Sequence, residues 1–195
     1  MDINCIAVIG AGALGRGIAR EAALAGYRTI LEDVMPEKRE EALDWIEAAL
    51  DAELVRGAIT SRDADGALAR ISTVRTVEDA CHEADLLIDA LPEELELKLE
   101  LFTLFDKFAR PAAVMASTSP THSIADMAAM TYRPELCVGL RFLGAAGEKK
   151  SLEIVRAPQT SDEAVAVCAE AARRMGREAS LLRETPEGIR GGETA

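Results

Sequence analysis

The chain has 195 residues, ample for one domain with a sizeable core, and 49% of them are apolar. Its formal charge of −12 argues against nucleic acid or an anionic membrane surface as partners, since both are polyanions. No apolar run reaches transmembrane length and no basic-then-apolar leader opens the chain, so a cytoplasmic protein is expected.

The first element is an apolar strand over 6–9, running into Gly10-Ala-Gly12-Ala-Leu-Gly15. A helix follows, in which Leu14, Ile18, Ala22 and Ala25 recur at helical spacing until Gly26. In such a turn the first glycine permits the tight bend, the second lets the backbone approach phosphates, and the third lets helix and strand pack closely. The helix start, at Ala13 and Leu14, aims unpaired N–H groups and a positive dipole end at the anion. A second strand over 27–31 closes on Glu32 and Asp33. An acid about 20 residues past the glycines lies where the adenine ribose hydroxyls of a dinucleotide arrive. A carboxylate at Asp33 repels a 2′-phosphate and no arginine directly follows it, so NAD is expected over NADP.

After Pro36, a long helix is expected over 37–56 with Leu43, Ile46, Leu50 and Leu54 on one face, ended by Arg56-Gly57. A helix over 61–70 leads to a short strand over 71–74, a helical turn over 79–84 and a buried strand over 85–91. A helix through Phe108 begins at Pro92, with Leu95, Leu99, Phe102 and Phe105 inward. Then come a strand over 113–117, a polar loop over 118–121, a short helix over 123–130, and strands over 137–141 and 152–155. Ser161 caps a helix to Met175, and a last strand is expected over 178–182. This alternation implies an α/β fold of Rossmann type, doubly wound and mostly parallel, with a helical excursion after the second strand. The expected division is one dinucleotide-binding domain over 1–184 and a flexible, glycine-rich tail over 185–195. Cys5, Cys81, Cys137 and Cys168 stand far apart without a C-x-x-C pair, so buried free thiols are expected and no metal site.

From Ile6 to about Pro186, the sequence resembles the NAD-binding domain of the 3-hydroxyacyl-CoA dehydrogenases. The likeness rests on Val-Ile-Gly10-Ala-Gly12-Ala-Leu-Gly15-Arg-Gly-Ile-Ala, Asp89-Ala90-Leu-Pro-Glu93-Glu-Leu-Glu-Leu-Lys98, Ala-Ser117-Thr-Ser119 and Glu184-Thr-Pro-Glu-Gly188. It implies that Ala90, Glu93 and Lys98 surround the nicotinamide half of the cofactor. From the residues alone, Glu93 and Lys98 read equally well as a helix-start acid and a solvated helix cation.

The departures from the family pattern concern proton transfer. Members carry a Ser-Asn-Thr-Ser-Ser loop, a later His-Phe-Phe-Asn-Pro segment, and a glutamate twelve residues past the histidine. There the histidine takes the proton of the substrate hydroxyl while hydride passes to the nicotinamide, and the glutamate orients it. Here the loop reads Ser117-Thr-Ser119-Pro120-Thr121 and the later segment Arg141-Phe-Leu-Gly144-Ala145, with Glu153 twelve residues past Arg141. Arg141 therefore stands at the histidine position, Gly144 at the asparagine position and Pro120 at the substrate-binding serine position, unless a one-residue shift brings Ser119 there. Arginine stays protonated at neutral pH. Arg141 either donates hydrogen bonds to a carbonyl or carboxylate, or forms a structural ion pair with Glu153. General-base assistance is worth ~10² to 10⁴ in rate, so little of the parent reaction should survive. His82 reads as a solvated surface residue. His122 reads as a replacement base or as a helix-start histidine facing solvent or core.

Family members also continue past Thr-Pro-Gly-Phe into a helical domain that closes the substrate cleft and carries most of the dimer contact. Here Glu187 interrupts that motif and eight residues remain, so a homo-oligomer or a subunit of a larger complex is expected. The leading functional expectation is an NAD(H)-binding, catalytically degenerate relative in a regulatory or subunit role. The second is an active NAD-dependent dehydrogenase acting on an acyl-CoA with a partner chain or a substitute base. The third is an altered oxidoreductase in which Arg141 anchors an anionic substrate.

Overall fold

The protein is described by a computed structural model that covers residues 3–144, 150–185 and 188–191. In chain order the elements are β1 (Cys5–Ile9), α1 (Ala13–Leu24), β2 (Arg28–Glu32), α2 (Pro36–Val55), α3 (Ser61–Arg70), β3 (Ile71–Val74), α4 (Val77–Cys81) and β4 (Leu86–Asp89). There follow α5 (Leu95–Phe108), β5 (Val114–Ser117), α6 (Ile124–Ala128), β6 (Cys137–Leu143), β7 (Ser151–Arg156), α7 (Asp162–Arg174), β8 (Glu178–Thr185) and β9 (Gly188–Arg190). Among the described residues, nine strands form one sheet in the order β3-β2-β1-β4-β5-β6-β7-β8-β9. β7 runs antiparallel to β6 and β9 antiparallel to β8, while the other neighbours are parallel. This is the expected doubly wound fold. The strand order reverses at β1, so the loops at the carboxyl ends of β1 and β4 diverge and leave a crevice.

Strand side chains alternate between two cores. Ile6 and Val8 of β1 pack with α1, α2, α3 and α7, whereas Cys5, Ala7 and Ile9 pack with α4, α5 and α6. Helix α1 lies close to the sheet because its inner face is made of small residues, Gly15, Ala19, Ala22 and Ala23, around Ile18. The excursion after β2 is held by few residues: α2 buries Ala42, Ile46 and Leu50 along its length. Thr60 starts α3 with a capping box, accepting the Asp63 N–H while the Asp63 carboxylate accepts the Thr60 N–H.

Several expected details are corrected. Leu95, expected inward, is exposed, and so are Leu14 and Leu54 from the expected apolar faces of their helices. The inner face of α5 instead includes Lys98, buried with Leu101, Phe102 and Phe105. Helix α4 begins before residue 79 because Thr76 caps it, accepting the N–H of Asp79. Asp85 lies outside β4, where its carboxylate accepts the N–H groups of Asn4 and Cys5 and pairs with Arg110. Gly188–Arg190, expected in a flexible tail, pairs with β8. Residues 186–187 and 192–195 of that tail lie outside the described residues. All four cysteines are free and buried, and burial pushes the thiols of Cys81 and Cys168 up to about 12. No helix is long and apolar enough to cross a membrane among the described residues.

Candidate cofactor site and the altered proton-handling pair

The glycines of the first turn have different physical roles. Gly10 has φ +104°, a left-handed conformation, and a Cβ there would lie 2.8 Å from the Ala90 carbonyl oxygen. A Cβ on Gly15 would fall 1.8 Å from the Gly10 carbonyl oxygen, so this residue lets α1 sit on the turn. Among the described residues, a Cβ on Gly12 would meet nothing within 4 Å beyond its chain neighbours. The open space therefore lies at Gly12, which is also the N-cap of α1. That helix has no side-chain cap and no acid in its first turn. Its first N–H groups, from Ala13 onward, are free to receive an anion. An open glycine beside an uncapped helix start fits a dinucleotide pyrophosphate.

Asp33 is fastened to this turn. Its Oδ2 accepts the Ala11 N–H at 3.0 Å and its Oδ1 accepts the Met35 N–H at 3.0 Å. Each carboxylate oxygen keeps a lone pair for a ribose hydroxyl. The Glu32 carbonyl accepts the Gly10 N–H at 2.8 Å, and Arg39 donates to the Asp33 carbonyl. Arg39 carries no motif signal and was not singled out in the sequence. Asp33 thus marks the β2 side of the crevice, and the loops after β4 and β5 mark the other.

On that other side, Ala90 adjoins the glycine turn, its N–H donating to the Ile9 carbonyl at 2.8 Å. Below it is a buried ionic cluster. Lys98 Nζ bonds Asp89 Oδ2 at 3.0 Å and the Leu91 carbonyl at 3.2 Å, and Ser117 Oγ donates to the same Asp89 oxygen at 2.7 Å. Asp89, Lys98 and Ser117 have no solvent exposure. Lys98 is therefore a strut beneath the site, neither a solvated cation nor open to a ligand. The sequence hid this because the nearest hint, Asp89 nine residues earlier, lies on a different element.

Glu93 sits above Lys98, with Nζ 3.6 Å from its Oε2. Its Oε1 accepts the hydroxyls of Ser119 and of Thr121, the latter at 2.7 Å, and lies 3.6 Å from His122 Nε2. Burial pushes the Glu93 carboxyl up, but the two hydroxyl bonds and the charges of Lys98 and His122 outweigh it and hold the group below the usual range. Ser119 is nearly fully buried and its Oγ also accepts the His122 N–H at 2.8 Å, so its hydroxyl is spent inside the loop. His122 Nε2 is buried without a hydrogen-bond partner among the described residues.

Arg141 and Glu153 are direct cross-strand partners in the β6–β7 register. Arg141 Nη1 lies 3.9 Å from Glu153 Oε2, and its Nη2 donates to the Pro120 carbonyl at 2.5 Å. The guanidinium thus ties β6 to the loop after β5. Gly144 follows with φ +100°. An open groove of about 670 Å³ lies beside this contact, walled by Pro120, His122, Arg141, Pro158, Glu184 and Ile189. His82 is elsewhere, exposed at the C-cap of α4 and 3.9 Å from Glu78.

A doubly wound sheet with a glycine turn, an uncapped helix start and a fastened acid on β2 defines a Rossmann-type dinucleotide-binding domain. Residues 5–185 match the family model described as 3-hydroxyacyl-CoA dehydrogenase, NAD binding domain. The chain belongs to that family, whose cofactor is NAD. It is 33% identical over 186 residues to a probable 3-hydroxybutyryl-CoA dehydrogenase of Bacillus subtilis, covering 95% of this chain and 64% of that protein. It is 32% identical over 186 residues to a 3-hydroxyadipyl-CoA dehydrogenase of Escherichia coli, covering 95% of this chain and 39% of that one. Among solved structures, an Escherichia coli 3-hydroxybutyryl-CoA dehydrogenase superposes with a TM-score of 0.90 at 31% identity, over 95% of this chain and 39% of that one. The (S)-3-hydroxybutyryl-CoA dehydrogenase of Ralstonia eutropha gives 0.89 at 25% identity, over 96% of this chain and 66% of that one. This chain therefore spans less than two thirds of the length of both curated relatives.

Proposed function

We propose that the chain binds NAD(H) across its glycine turn, with the adenosine at Asp33 and the nicotinamide toward Ala90 and Glu93. In this reading it does not oxidise 3-hydroxyacyl-CoA substrates, and serves as a cofactor-binding protein in a regulatory or subunit role. The observation that carries it is Arg141. A permanent cation paired with Glu153 and bonded to the Pro120 carbonyl cannot accept the proton of a substrate hydroxyl. The serine function is absent as well, since Pro120 has no hydroxyl and the Ser119 hydroxyl is committed to Glu93.

A second reading keeps activity, and the His122–Glu93 contact favours it. An imidazole beside a carboxylate on the wall of a groove has the parts of a base and its orienting acid. The experiment is NADH binding followed by nicotinamide fluorescence, with acetoacetyl-CoA then added. Binding without oxidation supports the first reading, and Arg141→His with Gly144→Asn should then raise turnover. Oxidation by the unmodified chain at ordinary enzyme rates sinks it and turns attention to His122. Absence of NADH binding removes both readings.

A further inference from the structure

We propose that Glu93 tilts cofactor binding toward oxidised, positively charged NAD⁺ over neutral NADH, and that protonation of His122 cancels the tilt. The inference rests on the NAD(H)-binding reading and adds to it which redox form the site favours and what regulates that choice.

The topology sets the direction of the cofactor. Asp33 stands at the end of β2, on one side of β1, and β4 and β5 lie on the other. With the adenosine at Asp33, the nicotinamide faces the loops after β4 and β5, where Glu93 and His122 are. The Glu93 side chain is 37% exposed, yet its carboxylate is held by the hydroxyls of Ser119 and Thr121. Lys98 beneath it is matched at closer range by Asp89, at 3.0 Å against 3.6 Å, so the negative charge of Glu93 is left uncancelled. The two cofactor forms share everything but the nicotinamide ring and its unit positive charge. A fixed, partly desolvated carboxylate acts on that difference alone.

His122 is the group that can reverse the effect. Its Nε2 is 3.6 Å from Glu93 Oε1, is buried, and has no hydrogen-bond partner among the described residues. Histidine is the side chain that ordinarily changes charge between pH 5 and 8. Once protonated at this distance, it offsets the Glu93 charge felt by the nicotinamide. The other charged groups on the same groove are Asp126 of α6, Arg141 of β6 with Glu153 of β7 paired to it, and Glu184 of β8. The Glu184 carboxylate accepts the N–H groups of Ile124 and Ala125, and β9 contributes the apolar Ile189.

Calorimetric binding of NAD⁺, NADH and ADP-ribose, which lacks the nicotinamide, tests the idea at pH 8 and pH 6. At pH 8 the ratio of NAD⁺ to NADH affinity should be about tenfold higher in the wild type than in Glu93→Gln. At pH 6 that difference should largely vanish. His122→Asn should keep the pH 8 ratio at both pH values, and His82→Asn should behave as wild type. ADP-ribose affinity should be equal in all four proteins. Glu32, pushed up to about 7, also titrates in this range, but it lies on β2 and its effect divides out of the NAD⁺/NADH ratio. A ratio indifferent to Glu93→Gln, or a pH dependence that survives His122→Asn, overturns the proposal and leaves cofactor binding intact. If none of the three ligands binds, the cofactor reading itself has failed.

Discussion

Arg141 and Glu153 face each other across β6 and β7, with Nη1 3.9 Å from Oε2. The register explains why two residues twelve apart act together: an antiparallel return after β6 brings them opposite. It also explains how an arginine is accommodated at position 141, since one end of its fork meets Glu153 and the other the Pro120 carbonyl. The pair is long and partly solvated, so Glu153→Gln should cost less than about 1 kcal/mol in urea unfolding. NADH affinity should not change. A large loss of affinity would place Glu153 in the cofactor site.

Two glycines of one turn should respond in opposite ways to alanine. Gly15→Ala drives a methyl group to 1.8 Å from the Gly10 carbonyl oxygen, so it should destabilise by more than about 3 kcal/mol or prevent folding. Gly12→Ala meets no atom of the described residues beyond its chain neighbours within 4 Å and should leave the melting temperature nearly unchanged. It should instead weaken NADH binding about tenfold or more, because its methyl group stands where the phosphates approach. Equal NADH binding by Gly12→Ala and wild type would remove the pyrophosphate from this turn.

The ion pair beneath Glu93 should be costly to break and cheap to replace whole. Lys98→Met strands the Asp89 charge with no solvent access, at a cost of about 3–5 kcal/mol in urea unfolding. Combining it with Asp89→Leu should recover part of that loss, although Ser117 and the Leu91 N–H then lose their acceptor. A double variant as unstable as the sum of the single ones would show that the two residues are not coupled.

Glu32 should make the protein less stable as pH rises. Burial, reinforced by the Asp33 charge, pushes its carboxyl up to about 7, and its Oε1 has no hydrogen-bond partner among the described residues. Between about pH 4.5 and 7 the folded state keeps this proton while the unfolded state has released it. The contribution of Glu32 to stability is therefore full at low pH and falls across that window, by an amount on the order of 3 kcal/mol. Glu32→Gln should flatten the slope and be the more stable protein above pH 7. A stability profile identical in the two proteins would show that Glu32 is not protonated in the fold.

Glu21 should act with the opposite sign. Burial pushes its carboxyl up, but hydrogen bonds and charge from Arg177 and Lys150 outweigh this and hold it below the usual range. The stability it contributes is present above the ordinary carboxylate pKa and is lost as pH falls through the lowered value. Comparing acid unfolding of wild type with Glu21→Gln checks this, and the variant should show the shallower loss. Equally steep acid limbs would rule it out.

Elements built from local pattern were legible in advance. The β1–turn–α1 unit, Asp33 at the end of β2, helix α3, and helix α7 with its Ser161 cap are each specified within a few consecutive residues. Their physical causes are a glycine conformation, a hydrophobic period or a side chain reaching its own helix start. Errors arose where a residue's face depended on a distant partner. Leu95, inward by helical period, does share the face of Lys98 and Phe102, but it is the first residue of α5 and stays exposed, while Lys98 one turn on is buried because it meets Asp89 on another element. The strand at 188–190 has no local signal because three residues, Gly188-Ile189-Arg190, are too few to show an alternating pattern, and β8 supplies their hydrogen bonds.

By itself, the sequence determined the doubly wound fold, the glycine turn with Asp33 at the end of β2, and the absence of a proton acceptor at position 141. All three follow from residue chemistry and short-range spacing. The tertiary structure decided which side chains meet at the carboxyl ends of β4, β5 and β6. It sealed Lys98 under Glu93, set His122 against that carboxylate, spent the Ser119 hydroxyl and bound Arg141 to Pro120. These contacts join loops that are distant in the chain, and their geometry comes from strand order and register, which no local window of sequence contains.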